Sequence, residues 1–87
     1  MKRVLIVCHN YDAAKIRFHD MIQQHETTVS RASHAQLTVD IGNIEYEFIS
    51  QHSSDRIIGR TYHSIVIDEM VKMTTEQTIL IMSRKRS

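Results

Sequence analysis

The 87-residue sequence has no proline, no tryptophan, two glycines and one cysteine. So few chain breakers exclude a loop-rich or repetitive Gly/Pro architecture. The single cysteine excludes an internal disulfide and any CxxC metal or redox motif, and it fits a reducing compartment. Its place, Cys8 at the end of an apolar run, reads as a small buried hydrophobe rather than a nucleophile. That run, Val4 to Cys8, is the longest uncharged apolar stretch. It falls far short of the ~20 residues of a membrane-spanning helix and is too short for the core of a signal peptide, so a cytoplasmic protein without a membrane partner is expected. Eleven Lys+Arg against ten Asp+Glu leave a net charge of +1. The chain is no polycation, and nucleic-acid affinity would need local clustering, of which Arg84-Lys85-Arg86 is the visible case. Six histidines are present, but none are spaced to place two ligands on one helix face, so no zinc site is expected.

What remains is a globular composition, 41% hydrophobic and 24% charged. One domain, residues 1–87, is expected, with a modest core and room for one site at most. Arg3-Val-Leu-Ile-Val-Cys8 is a continuous β-branched run and reads as strand 3–8, covered on both faces. Asn10 can cap a helix over 11–25 whose apolar residues Ala14, Phe18, Met21 and Ile22 share a face. Residues 26–35 lack a period and read as a loop with room for a short strand. Leu37, Val39 and Ile41 alternate with polar residues, as do Ile44, Tyr46 and Phe48, and Gly42-Asn43 stands between them. This predicts a β-hairpin over 36–49 that pairs 41 with 44, 39 with 46 and 37 with 48 and so puts all six apolar side chains on one face. The same register sets Asp40 opposite Glu45 on the other, outward face. Ser64-Ile-Val-Ile67 reads as a second buried strand, 63–67, parallel to the first. Thr74-Thr-Glu-Gln77 fits a capping box ahead of a helix over about 74–85, although Ile79-Leu-Ile81 would also suit a strand. The expected fold class is α/β: a small mixed sheet with parallel strands 3–8 and 63–67, the hairpin added antiparallel, and two helices.

Chemistry is expected beyond the carboxyl ends of the parallel strands. Ile65-Val-Ile-Asp68-Glu69 has the pattern of a Walker B element. In such an element the Asp holds Mg²⁺ through its water shell and the Glu orients or deprotonates the attacking water. The structural alternative is that Asp68 caps the following turn and Glu69 is solvated.

From Leu37 to Met73 the chain runs hairpin, Ile49-Ser50, Asp55-Arg56, Ile58-Gly59-Arg60, Tyr62, strand, Asp68-Glu69-Met70. This order resembles the middle of the ATPase domain of bacteriophage terminase large subunits, the DNA-packaging motors related to superfamily 2 helicases. Val4 to Cys8 with Ala13-Ala14 is similar to the strand and helix that come after the P-loop helix in that family. The sequence departs from the pattern in three ways. It has no Gly-Lys-Ser/Thr phosphate loop, it has Gly59-Arg60 where Arg-Gly is commoner, and it shows no counterpart of the nuclease half.

Without a phosphate cradle the 87 residues cannot be an intact ATPase. The resemblance therefore implies one of two functions. The first is a non-catalytic, phage-type interaction module, needing no cofactor in isolation, that binds nucleic acid through Arg56, Arg60, Arg84, Lys85 and Arg86, or binds a motor or packaging protein. A phage-encoded chain would act in the host cytoplasm. The second is one piece of a split ATPase, in which Asp68 (Mg²⁺) and Glu69 (catalytic) serve a partner that brings the P-loop and ATP.

Overall fold

The computed structural model describes residues 2–53, 59–68, 70–72 and 74–84. Strand β1 (Lys2–Cys8) leads into helix α1 (Tyr11–Gln24). Next come β2 (Val29–Ser33), β3 (Thr38–Ile41), β4 (Ile44–Ser50), β5 (Ser64–Ile67) and helix α2 (Thr75–Met82). The strands make one mixed sheet in the order β2-β3-β4-β1-β5. β1 lies parallel to both of its neighbours, while β2, β3 and β4 run antiparallel in succession. The expected α/β class is the fold adopted.

Helix α1 starts where the sequence places it, since the Asn10 side chain accepts a 2.7 Å hydrogen bond from the Ala13 N–H. That bond satisfies one of the orphan donors of the first turn. Ala14 and Phe18 are fully buried, and Met21 and Ile22 pack at the margin, against Ile6, Cys8, Val39 and Phe48. Phe18 meets Phe48 edge to face at 6.0 Å between ring centroids. On the opposite face, Ile81 of α2 packs with Leu5, Val7, Ile49 and Tyr62. β1 alternates between the two clusters, and this is why its whole run is apolar. The capping box of α2 is complete: the Gln77 N–H donates to Thr74 Oγ1 and the Thr74 N–H donates to Gln77 Oε1, both at 3.2 Å. It decides in favour of a helix at 75–82, followed by a turn at Ser83 and Arg84.

The hairpin keeps its expected register, Ile41 with Ile44 and Val39 with Tyr46. Gly42, at φ +60°, is the first central residue of the turn, and Asn43 has no positive φ. This is the type II′ pattern, in which only that first position needs a glycine. Leu37 lies just before β3 with φ +53°. Its carbonyl still accepts from the Phe48 N–H at 3.0 Å, so the 37–48 pairing extends beyond the strand.

Two expectations are corrected and one left open is decided. The hairpin extends the sheet but does not join it antiparallel: β4 lies parallel to β1 along its whole length, Lys2 with Ile44 through Cys8 with Ser50. Ile49 on its reverse face makes the end of β4 apolar on both sides, so it needs cover from both helices. Within 26–35, where the sequence leaves a short strand open, residues 29–33 form one in spite of their polar sequence, because β3 offers them a free backbone edge. Finally, β5 is not a buried strand. Among the described residues it has only β1 as a strand neighbour, and Val66 and Ile67 are 47% and 37% exposed. Among the described residues, no helix is long and apolar enough to cross a membrane.

Candidate functional site

At the carboxyl ends of β1 and β5 the sequence-predicted Asp68 is engaged on every side. Its N–H donates to the Val7 carbonyl at 3.0 Å, and its own carbonyl accepts from the Val71 N–H at 2.9 Å. Oδ1 accepts from the Met70 N–H at 3.4 Å, so the side chain caps the turn after the strand. Oδ2 forms an ion pair with Arg17 Nε of α1 at 3.2 Å, and the carboxylate is only 12% exposed. Arg17 thus supplies the positive charge that a bound cation would otherwise supply. Glu69 lies outside the described residues. Cys8, at the end of β1, is fully buried. Burial pushes its thiol above the usual range, Arg17 partly offsets that, and Asp68 adds to it. It is the inert hydrophobe that the sequence suggests. At the adjacent ends of β1 and β4, Gln51 Nε2 donates to the His9 carbonyl at 3.0 Å. His9 Nδ1 and Gln51 Oε1 are buried there without a hydrogen-bond partner among the described residues. Among the described residues, no three His, Cys, Asp or Glu side chains converge to hold a metal ion.

The second cluster lies on the α2 side of the sheet and centres on Glu47, which is 2% exposed. Arg60 Nη1 donates to both of its carboxylate oxygens, at 3.0 and 3.1 Å, and the Tyr62 hydroxyl donates to Oε1 at 2.8 Å. Burial first, and then the bond to Glu47, push the Tyr62 hydroxyl well above its ordinary range, with Arg60 opposing. The Glu47 charge in turn raises Arg60. The Tyr62 N–H donates to the carbonyl of Arg84 at 2.7 Å, while Arg84 Nε is buried without a hydrogen-bond partner among the described residues. Tyr62 thus links the Glu47–Arg60 pair at its hydroxyl to the Arg84 backbone at its N–H, although 24 positions separate Arg60 and Arg84 in sequence. Arg60 keeps a half-open side chain, 44% exposed. Arg56, Lys85 and Arg86 lie outside the described residues.

Sequence reasoning missed Glu47, Tyr62 and Arg17. Glu47 falls on the polar parity of the hairpin and reads as solvated. The one available signal was Tyr62, a large aromatic in an otherwise polar stretch just before a strand. Arg17 gives no local signal, because its partner is 51 positions away.

The Asp40–Glu45 like-charge pair exists as expected, and the sheet neutralises it. In register across four strands, Arg31 faces Asp40, Asp40 faces Glu45 and Glu45 faces Arg3. Arg3 Nε lies 3.4 Å from Glu45 Oε1. Arg31, Ser33, Gln36, Thr38, Asp40 and Glu45 line an open polar groove of about 300 Å³ on the face turned away from α1. Compared with protein-family models, curated proteins and solved structures, the chain matches none.

Proposed function

We propose that this chain is a non-catalytic interaction module built on a terminase- or helicase-like α/β scaffold, and that it binds the phosphate backbone of nucleic acid. The observation that carries this reading is that Arg60 and Arg84 are both tied to Tyr62, Arg60 through the shared carboxylate of Glu47 and Arg84 through its backbone carbonyl. In sequence, Arg56 precedes Arg60 by four residues and Lys85 and Arg86 directly follow Arg84. Nη1 of Arg60 is committed to Glu47 and Nε of Arg84 is buried, which leaves the other guanidinium donors of the two residues for phosphate oxygens. The first site supports the same reading from the other side: Asp68 is consumed by Arg17 and by turn capping, and neither glycine is followed by a Lys that could complete a phosphate loop.

Three to five phosphate contacts give weak, salt-governed binding. With a slope of about −0.9 per contact, affinity should fall about 40- to 500-fold between 50 and 200 mM salt. Fluorescence anisotropy with single- and double-stranded oligonucleotides tests this. Lys85→Ala/Arg86→Ala should weaken binding and flatten the slope, and no binding at low salt removes the proposal. A motor or packaging protein is the other partner of such a module.

One observation favours the split-ATPase reading: Asp68 sits at the carboxyl end of a parallel strand, beside the end of β1. In that reading a P-loop partner, with ATP and Mg²⁺, would have to displace Arg17 from Asp68. Asp68→Asn or Glu69→Gln would then lower turnover of the mixed proteins by ~100-fold or more.

A further inference from the structure

The two edges of the sheet are built differently. β2, at one edge, carries Arg31 and a register shift between Val29 and Arg31, and it is largely polar. A charge and a bulge are the usual devices that keep an edge strand from pairing with another chain. β5, at the other edge, is Ser-Ile-Val-Ile in regular register with β1, without a charge, a proline or a bulge. Among the described residues no strand lies beside its outer backbone groups. Val66 is exposed on the α1 face, Ile67 on the α2 face, and Met70 just beyond is 65% exposed.

We propose that this edge pairs antiparallel with the β5 edge of a second copy of the chain, about a two-fold axis at Val66, to make one continuous ten-stranded sheet. Self-pairing is dictated by the sequence of the edge. A two-fold axis normal to the sheet joins α1 face to α1 face, so residues of like parity must lie opposite each other. With the axis at Val66, Val66 faces Val66 of the second copy, Ile67 faces Ile65 of the second copy, and the Ser64 hydroxyl faces the Asp68 carboxylate. Every exposed apolar side chain of the strand then meets an apolar one, and the acceptor at its end meets a donor. Moving the axis to Ile65 would set Val66 against Ser64 and Ile67 against His63, which loses both matches. Charge does not oppose the approach, because Asp68 is already neutralised by Arg17 of its own chain. A four-residue edge covers less than the ~800 Å² per partner of a standard interface, so the dimer is a micromolar one.

Sedimentation equilibrium on the 87-residue chain over about 1–500 µM, a range that brackets such an affinity, is the test. The mass should rise from 10.2 kDa towards twice that value. Val66→Lys places a gatekeeper charge at a half-exposed position. It should hold the protein monomeric with an unchanged circular dichroism spectrum and Tm. Val66→Cys should cross-link into a covalent dimer on mild oxidation, whereas Arg31→Cys at the other edge should not. The native Cys8 is buried and does not compete. A wild-type chain that stays monomeric at the highest concentration, or a folded Val66→Lys protein that dimerises like wild type, overturns the proposal. If the Lys variant does not fold, absence of the Val66→Cys cross-link overturns it.

Discussion

Replacing Glu47 by alanine removes the acceptor at the centre of the α2-side cluster. Tyr62 is fully buried, and its hydroxyl has Glu47 as its acceptor at 2.8 Å. A hydrogen bond to a charged group contributes about 1.5–3 kcal/mol, and a buried hydroxyl left without a partner costs about 1–3 kcal/mol. The Arg60 contact adds less than its bidentate geometry suggests, because the Arg60 side chain is 44% exposed and water can replace the carboxylate. A loss of about 3 kcal/mol is expected for Glu47→Ala. Glu47→Gln keeps an acceptor of nearly the same shape and should lose about half as much. Total stability for a chain of this length is about 4–13 kcal/mol, so the alanine variant has its midpoint well below that of wild type. Urea unfolding monitored by far-UV circular dichroism measures each variant, with a constant m-value required for the comparison. Tyr62→Phe completes a double-mutant cycle, in which Glu47 and Tyr62 should couple by about 1 kcal/mol or more. A Glu47→Ala loss under about 1 kcal/mol at constant m, or strict additivity with Tyr62→Phe, would falsify the view that this carboxylate is a buried structural centre.

Two further outcomes concern the core and titration. Phe18→Ala, at a fully buried residue between β1, β3 and β4, should cost about 3–5 kcal/mol in the same urea assay, and a loss below about 1 kcal/mol would mean that α1 does not pack through this face. The Tyr62 hydroxyl has its pKa raised by burial and by Glu47, so the folded state holds this proton to higher pH than the unfolded chain, whose tyrosine titrates near 10. The associated stability is fully present below about pH 10 and is lost as pH rises beyond it, at up to about 1.4 kcal/mol per pH unit. Urea midpoints between about pH 8 and 11.5 should fall more steeply for wild type than for Tyr62→Phe, and parallel curves would refute the assignment.

The charge pattern of the sheet gives a physical reason for the small net charge. Asp68 is held by Arg17, Glu47 by Arg60 and Glu45 by Arg3. Each pair joins residues distant in sequence, so these ions tie a strand or helix to another part of the chain rather than support one helix. Arg84 is set apart: its Nε is buried without a hydrogen-bond partner among the described residues, where the chain after α2 meets Tyr62.

Local chemistry alone determined β1, the extent of α1, the hairpin register and the capped start of α2. In each case the information lies within a few residues. Asn10 caps the helix that begins beside it, Gly42 supplies the positive φ of a two-residue turn, and a six-residue alternation cannot slip by one position without turning its apolar face outward. Only tertiary structure decided the rest, because the deciding partner is distant in sequence. β2 is a strand because β3 lies beside it. The apolar run of β5 looks buried, yet it is an edge, because nothing within it records that the strand order ends there. Glu47 sits on the polar parity of its strand and is still buried, because Arg60 and Tyr62 return from more than ten residues away to cover it. Asp68 carries the pattern of a metal-holding acid, but the helix after β1 brings Arg17 to within 3.2 Å and makes it one half of an ion pair.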